Sequence, residues 1–313
     1  LSDIVLSAPQ PEWVAVELSS FQLADQETLD PDVGVLLNLS PDHLDRYADV
    51  ESYYADKRRL FANARPTSRW VLNADDPGTS ELAEGAPGRR CYFSVSVRPE
   101  QGSWLDDGGI LRCALPERGE EEWVAAEDLR LLGPHNVANA LAAGLACALA
   151  GVPTEGIRQG MRSFDPLPHR LQPLGELDGV LWVNDSKATN VTAAGVAVRS
   201  FDRPVVLILG GRHKGEPYTD LTADPSSRFR GIVAYGEAAP RIVSDLSSTV
   251  PTLRVESGLE AVVRTAAELS EPGDVVLLSP ACSSYDMFPN YIERGKAFER
   301  AFRELAARAG SVV

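Results

Sequence analysis

Pro204-Val205-Val206-Leu207-Ile208-Leu209 runs directly into Gly210-Gly211-Arg212-His213-Lys214-Gly215. The first six residues carry no polar side chain and are too few for a typical helix, so they read as a strand buried on both faces. The glycine-rich, basic stretch then lies at that strand's carboxyl end, where glycine lets backbone N–H groups approach an anion. Outward from this point the same alternation recurs. Val180-Leu181-Trp182-Val183-Asn184 precedes it. Gly231-Ile232-Val233-Ala234-Tyr235 and Asp274-Val275-Val276-Leu277-Leu278-Ser279 follow, with helical patterns between them and a last amphipathic helix at about 291–308. Strand–helix alternation with continuously apolar strands predicts a doubly wound, Rossmann-like α/β domain.

Toward the amino end the pattern repeats with a difference. Val14-Ala15-Val16-Glu17-Leu18, Val33-Gly34-Val35-Leu36-Leu37-Asn38 and Arg69-Trp70-Val71-Leu72-Asn73 read as strands, with a charged amphipathic helix at about 50–63. Residues 85–130 are rich in Gly and acids, with short alternating pieces that predict hairpins, an antiparallel margin on a mostly parallel sheet. Helices resume at about 136–150 and 154–163. Asp165-Pro166-Leu167-Pro168-His169-Arg170 has two prolines and no periodicity and reads as a linker. The expected division is residues 1–166 and 167–313.

Composition narrows the class. The 313 residues are 44% hydrophobic and 24% charged, which suits folded α/β domains and excludes disorder as the main state. No apolar run approaches the length of a membrane helix. Four Cys (Cys91, Cys113, Cys147, Cys282) show no CxxC spacing, so neither a zinc site nor a disulfide framework is expected, and a reducing cytoplasm fits. The net charge of −15 argues against a nucleic-acid surface. It leaves room for small anions held by a few placed cations.

Ligands of open α/β sheets bind outside the carboxyl ends of the strands, so the residues there are the candidates. Glu17 ends one strand; it suits Mg²⁺, a hard cation that takes oxygen ligands, or pairing with a helix N-terminus or a neighbouring Arg. Asp42, His43 and Asp45 crowd one loop, where they either serve a site or cap a turn. Lys57 reads, on its helix, as a surface lysine. Asn136 and Asn139 share a helix face, although Asn136 also suits a cap. Asp185 and Lys187 follow the strand ending at Asn184 and fit a ribose and a phosphate, or a cap and a solvated cation. Ser279, Ser283 and Ser284 line a pocket or cap a helix. No GxxxxGK[ST], GxGxxG or GxSxG occurs in the sequence.

Taken in order, Glu17-Leu-Ser-Ser-Phe-Gln-Leu23, residues 38–47, Asn73-Ala-Asp-Asp76, His135-Asn-Val-Ala-Asn139, Leu167-Pro-His-Arg170, Asn184-Asp-Ser-Lys-Ala-Thr-Asn190, Gly210-Gly-Arg-His-Lys-Gly215 and Ser279-Pro-Ala-Cys-Ser-Ser284 resemble the Mur ligases, and among them the D-glutamate-adding member. The resemblance covers essentially the whole chain. It implies an ATPase-like central domain followed by a Rossmann-like C-terminal domain. It also implies an N-terminal domain and a phosphate loop upstream of Leu1, so that this piece is expected to fold but to be inactive alone.

The implied reaction is ATP-dependent ligation of D-glutamate to UDP-N-acetylmuramoyl-L-alanine through an acyl phosphate, in a monomeric bacterial cytoplasmic enzyme. The implied cofactors are ATP and two Mg²⁺. Glu17, His43 and Lys57 (as a carbamate) are the implied metal and catalytic residues, with Asp42 in support. Asn136, Asn139, His169, Arg170 and Asp185 are implied at ATP. Lys187, Thr189, Lys214, Ser284 and Tyr291 are implied at D-glutamate, Tyr291 standing where family members commonly carry Phe. Ser19 and Ser20 are implied on the muramoyl side. A folylpolyglutamate synthase-like ligase and a non-catalytic nucleotide-binding module are the alternatives.

Overall fold

A computed structural model describes residues 9–40, 46–224 and 227–310. The chain divides into two compact units, Leu1–Ala126 with Ala138–Gln159 and Glu127–Val137 with Gly160–Val313.

The first unit is built on a six-stranded sheet in simple order, β1 (Val33–Leu36), β2 (Arg69–Asn73), β3 (Arg89–Ser94), β4 (Gly102–Leu105), β5 (Ile110–Leu115) and β6 (Gly119–Ala125). β1 to β4 pair in parallel, and β4–β5 and β5–β6 pair antiparallel. The antiparallel margin is therefore narrower than expected: β3 and β4 join the parallel part, and only β5 runs against its two neighbours, β4 and β6. Leu36, Phe61, Trp70, Leu72 and Ala83 form a core cluster on this sheet. Gly34 makes it possible, because a Cβ there would lie 2.4 Å from the Trp70 ring.

Around the sheet lie α1 (Ser20–Ala24), α2 (Val50–Arg58), which continues as a 3₁₀ turn to Phe61, and α3 (Pro77–Leu82). Residues 14–18, expected as a strand, join no ladder, and Trp13, Val14 and Val16 are exposed at 46%, 41% and 46%. A strand persists only where a neighbour completes its hydrogen bonds, and among the described residues β1 pairs with β2 alone. Helices α4 (Pro134–Leu149) and α5 (Thr154–Ser163) straddle the division between the units.

The second unit has a sheet of order β11-β10-β9-β12-β8-β7. These are β7 (Gln172–Leu177), β8 (Val180–Asn184), β9 (Val205–Gly210), β10 (Phe229–Tyr235), β11 (Thr252–Val255) and β12 (Val275–Leu278). All pairs are parallel except β7 with β8. The period-two alternation of strand side chains sorts the core into two layers. Val205, Leu207 and Leu209 of β9 face α6 (Val191–Arg199) and α7 (Ala239–Leu246). Val206 and Ile208 face α8 (Leu259–Leu269) and α9 (Tyr291–Arg308). Helices on both faces of a parallel sheet are the doubly wound arrangement expected here. No helix among the described residues is long and apolar enough to cross a membrane.

Candidate active site

In the second unit the predicted residues collect at the carboxyl edge of β8, β9 and β12. Asp185 follows β8 and is 5% exposed. Its Oδ1 accepts from Leu171 N at 3.1 Å and its Oδ2 from Ser279 Oγ at 2.8 Å, so one carboxylate braces three loops. Burial pushes its pKa up to about 6, against the lowering effects of those two bonds and of Arg170. Lys187 is exposed, and its backbone N–H donates to the His169 carbonyl at 3.0 Å. Lys214, also exposed, reaches Thr189 Oγ1 with its Nζ at 3.3 Å.

The loop after β9 and the loop after β12 are bridged in both directions: Arg212 N donates to Ser283 O at 2.9 Å and Ser283 N to Arg212 O at 3.1 Å. Gly211, at φ 132°, lies so close to Ser283 that a Cβ would sit 2.2 Å from its carbonyl oxygen. The glycine pair is thus needed for packing as well as for turning. Ser284 is buried at 3%, and its carbonyl accepts from Met287 N and Phe288 N. Arg170, Lys187 and Lys214 place exposed cations near this edge, where an anionic ligand could meet them, whereas Arg212 is paired with Glu237, Nε to Oε2 at 3.1 Å.

His169 is 5% exposed and adopts a left-handed backbone at φ 65°. Its Nδ1 lies 3.0 Å from Asn184 Nδ2 and 3.6 Å from Glu299 Oε1, and its ring meets Tyr291 edge-on at 6.3 Å. The ring seats against Gly295, where any Cβ would fall 2.3 Å from Nδ1. Burial lowers its pKa, against the raising effect of Glu299. Asn136 donates through Nδ2 to Leu132 O at 2.7 Å, and the neighbouring His135 ring lies 3.4 Å from Ser200 Oγ.

Sequence reading missed the group that ties these loops together. Arg294 on α9 is wholly buried. Its Nε donates to Ser186 Oγ at 3.0 Å, its Nη2 to Ser186 O at 2.8 Å, and its Nη1 to Cys282 O at 3.0 Å and Gly210 O at 3.4 Å. One guanidinium therefore binds the ends of β8, β9 and β12. The signal was present: Arg294 shares the helical face of Phe298, Ala301 and Phe302, all buried.

In the first unit, α1 and α2 carry the other candidates. Ser19 caps α1 in a capping box with Gln22, and Ser20 is buried. Phe21 stacks on Tyr47 at 5.3 Å, Tyr47 donates to Asp56 Oδ2 at 3.0 Å, and Tyr47 meets Tyr53 edge-on. Lys57 Nζ lies 5.0 Å from the centre of the Tyr53 ring, a cation–π contact. The aromatic stack thus holds the serines of α1 and Lys57 of α2 on adjoining helices. Glu17 is exposed on the irregular segment before α1. Asp42 and His43 lie outside the described residues. Among the described residues no group of three His, Cys, Asp or Glu gathers to hold a metal ion.

Two units, each built on a mostly parallel six-stranded sheet, define an α/β protein, and comparison with known proteins specifies the family. The description "Mur ligase middle domain" matches residues 4–147, and "Mur ligase, glutamate ligase domain" matches residues 169–282. The fold is shared with MurC from Thermotoga maritima (TM-score 0.63, 17% identity, 91% of this chain and 62% of that one). It is also shared with MurF from Thermotoga maritima in complex with ADP (TM-score 0.61, 19% identity, 88% and 64%). The chain belongs to the Mur ligase family.

Two similar relatives within that family carry the name UDP-N-acetylmuramoylalanine–D-glutamate ligase. That of Anaeromyxobacter dehalogenans is 43% identical over 98% of this chain and 68% of its own length. That of Acidobacterium capsulatum is 41% identical over 92% of this chain and 62% of its own. The chain thus spans about two thirds of the length of the curated relatives it matches, and for the Acidobacterium capsulatum relative somewhat less.

Proposed function

We propose that this chain is the ATP- and amino-acid-handling part of a bacterial cytoplasmic ligase that joins D-glutamate to UDP-N-acetylmuramoyl-L-alanine in peptidoglycan synthesis. What carries the reading is the 43% identity to a D-glutamate ligase over 98% of the chain. The exposed Lys187 and Lys214 suit an amino acid with two carboxylates.

In this reading the acceptor's carboxylate oxygen takes the γ-phosphoryl group of ATP, giving an acyl phosphate and ADP. The D-glutamate amine attacks the carbonyl carbon, the C–O bond breaks, inorganic phosphate leaves with that oxygen, and the amine loses a proton. The transferring group has little covalent chemistry for the protein to do, so positioning and cationic stabilisation supply most of the catalysis.

Lys187, Lys214, Thr189 and Ser284 hold the D-glutamate carboxylates, with Tyr291 beside them. Asp185 accepts from the ribose hydroxyls, while Arg170, His169, Asn136 and Asn139 complete the nucleotide contacts. Ser19 and Ser20 face the muramoyl group. The reading assigns two Mg²⁺ to Glu17, His43, Asp42 and a carbamylated Lys57, where they would neutralise phosphate charge.

The test is phosphate release by the full-length protein across a panel of amino acids and acceptors. The reading requires release with D-glutamate and UDP-N-acetylmuramoyl-L-alanine together. Ligation of L-glutamate to a folate, with no reaction of the muramoyl nucleotide, contradicts it.

A further inference from the structure

The loop that carries Lys214 is tied to α6 at a second point that the ligase reading does not use. Glu216 lies two residues beyond Lys214, and its Oε2 accepts from Val191 N, the first amide of α6, at 2.5 Å. Val191 in turn lies two residues beyond Thr189, the partner of Lys214 at 3.3 Å. Gly215 stands between the two loop residues at φ 103°, a left-handed turn that lets both side chains reach the same segment. Two cross-links of equal spacing therefore join the two loops.

The α6 N-terminus is a natural place for an anion, since its first amides have no partner within the helix. The chain fills that place itself. Asn190 Oδ1 takes Ala193 N at 2.7 Å, and Glu216 takes Val191 N. A substrate carboxylate is then left to the Lys214 ammonium and the Thr189 hydroxyl. The other flank of the loop is pinned independently: His213 Nδ1 lies 3.0 Å from Tyr218 OH, which lies 2.9 Å from Cys282 Sγ, and Tyr218 is wholly buried.

We propose that Glu216 is a positioning residue for the acidic amino acid: by occupying the α6 N-terminus it latches the Lys214 loop and directs the substrate carboxylate to Lys214 and Thr189. The proposal rests on the D-glutamate ligase reading. It separates binding of the amino acid from the phosphoryl-transfer step, because Glu216 acts on the Lys214 loop through the Val191 amide.

The test is initial-rate kinetics on the full-length protein with Glu216→Ala and Glu216→Gln, together with melting temperatures. Glu216→Ala is expected to raise the KM for D-glutamate by about tenfold, leaving kcat and the KM for ATP within about twofold. Glu216→Gln keeps an oxygen acceptor for Val191 N and is expected to restore the KM to within about threefold of the parent. An unchanged KM for D-glutamate in Glu216→Ala overturns the proposal, as does a parallel loss of kcat, ATP affinity and melting temperature. A lowered KM also overturns it, since Glu216 would then compete with substrate for the helix end. If the unsubstituted protein releases no phosphate in response to D-glutamate, the ligase reading itself fails, and the proposal with it.

Discussion

Arg294 holds Ser186 twice, Nε to the hydroxyl at 3.0 Å and Nη2 to the carbonyl at 2.8 Å, with no solvent access to the guanidinium. Its other partners are the carbonyls of Cys282 and Gly210, so a charge at the core of the second unit is met by neutral oxygens drawn from three loops. Geometry at the carboxyl edge depends on this one side chain. Arg294→Met leaves buried carbonyls without donors and should cost roughly 2–4 kcal/mol of stability. Urea unfolding measures it; a loss under about 0.5 kcal/mol, the scale of surface substitutions, would show that the clamp is dispensable.

Asp185 makes a pH-dependent contribution of defined sign. Its folded pKa, raised by burial to about 6, lies above the usual value of 3.8, so the folded state binds more protons than the unfolded state between those limits. The stability of the second unit should therefore fall as pH rises from about 4 to about 6, then level off, by an amount on the order of 3 kcal/mol from this group. In Asp185→Asn that slope should flatten. Unfolding midpoints of the two proteins across the window decide it, and parallel slopes would refute the assignment.

Lys214 and Thr189 make a cation–hydroxyl pair at the exposed edge, a place for a carboxylate to enter. Lys214→Ala should raise the KM for D-glutamate at least about tenfold while leaving the KM for ATP nearly unchanged. Equal shifts in both would place Lys214 at the nucleotide instead.

Lys57 is held over the Tyr53 ring at the end of α2, whereas the ligase reading makes it a carbamate. Lys57→Ala in the full-length protein should remove most activity, and short carboxylic acids should restore part of it by supplying the missing carboxylate. Parental turnover in Lys57→Ala would make it a surface lysine.

Four strands of the second unit, β8, β9, β10 and β12, were legible because each has a largely apolar run followed by a turn, whereas the short edge strand β11, with Leu253 and Arg254 exposed, was not. β7 was not, because Pro173 and Gly175 interrupt it and its pairing with β8 shifts register there. Residues 14–18 misled in the opposite direction: their apolar content matches a strand, but ladder partners are a property of the fold and not of the segment. At the site, the residues at strand ends announced themselves by position. Arg294 and Glu216 act through contacts 108 and 25 residues away in sequence, and no local pattern encodes such partners.

The central claim is that the acceptor's own carboxylate oxygen is phosphorylated and then displaced by D-glutamate. The most direct measurement uses UDP-N-acetylmuramoyl-L-alanine labelled with ¹⁸O in the alanyl carboxylate, with full-length protein, ATP, Mg²⁺ and D-glutamate. The account predicts that each phosphate released carries one ¹⁸O from that carboxylate, in step with amide formation. Released phosphate free of the label would contradict it.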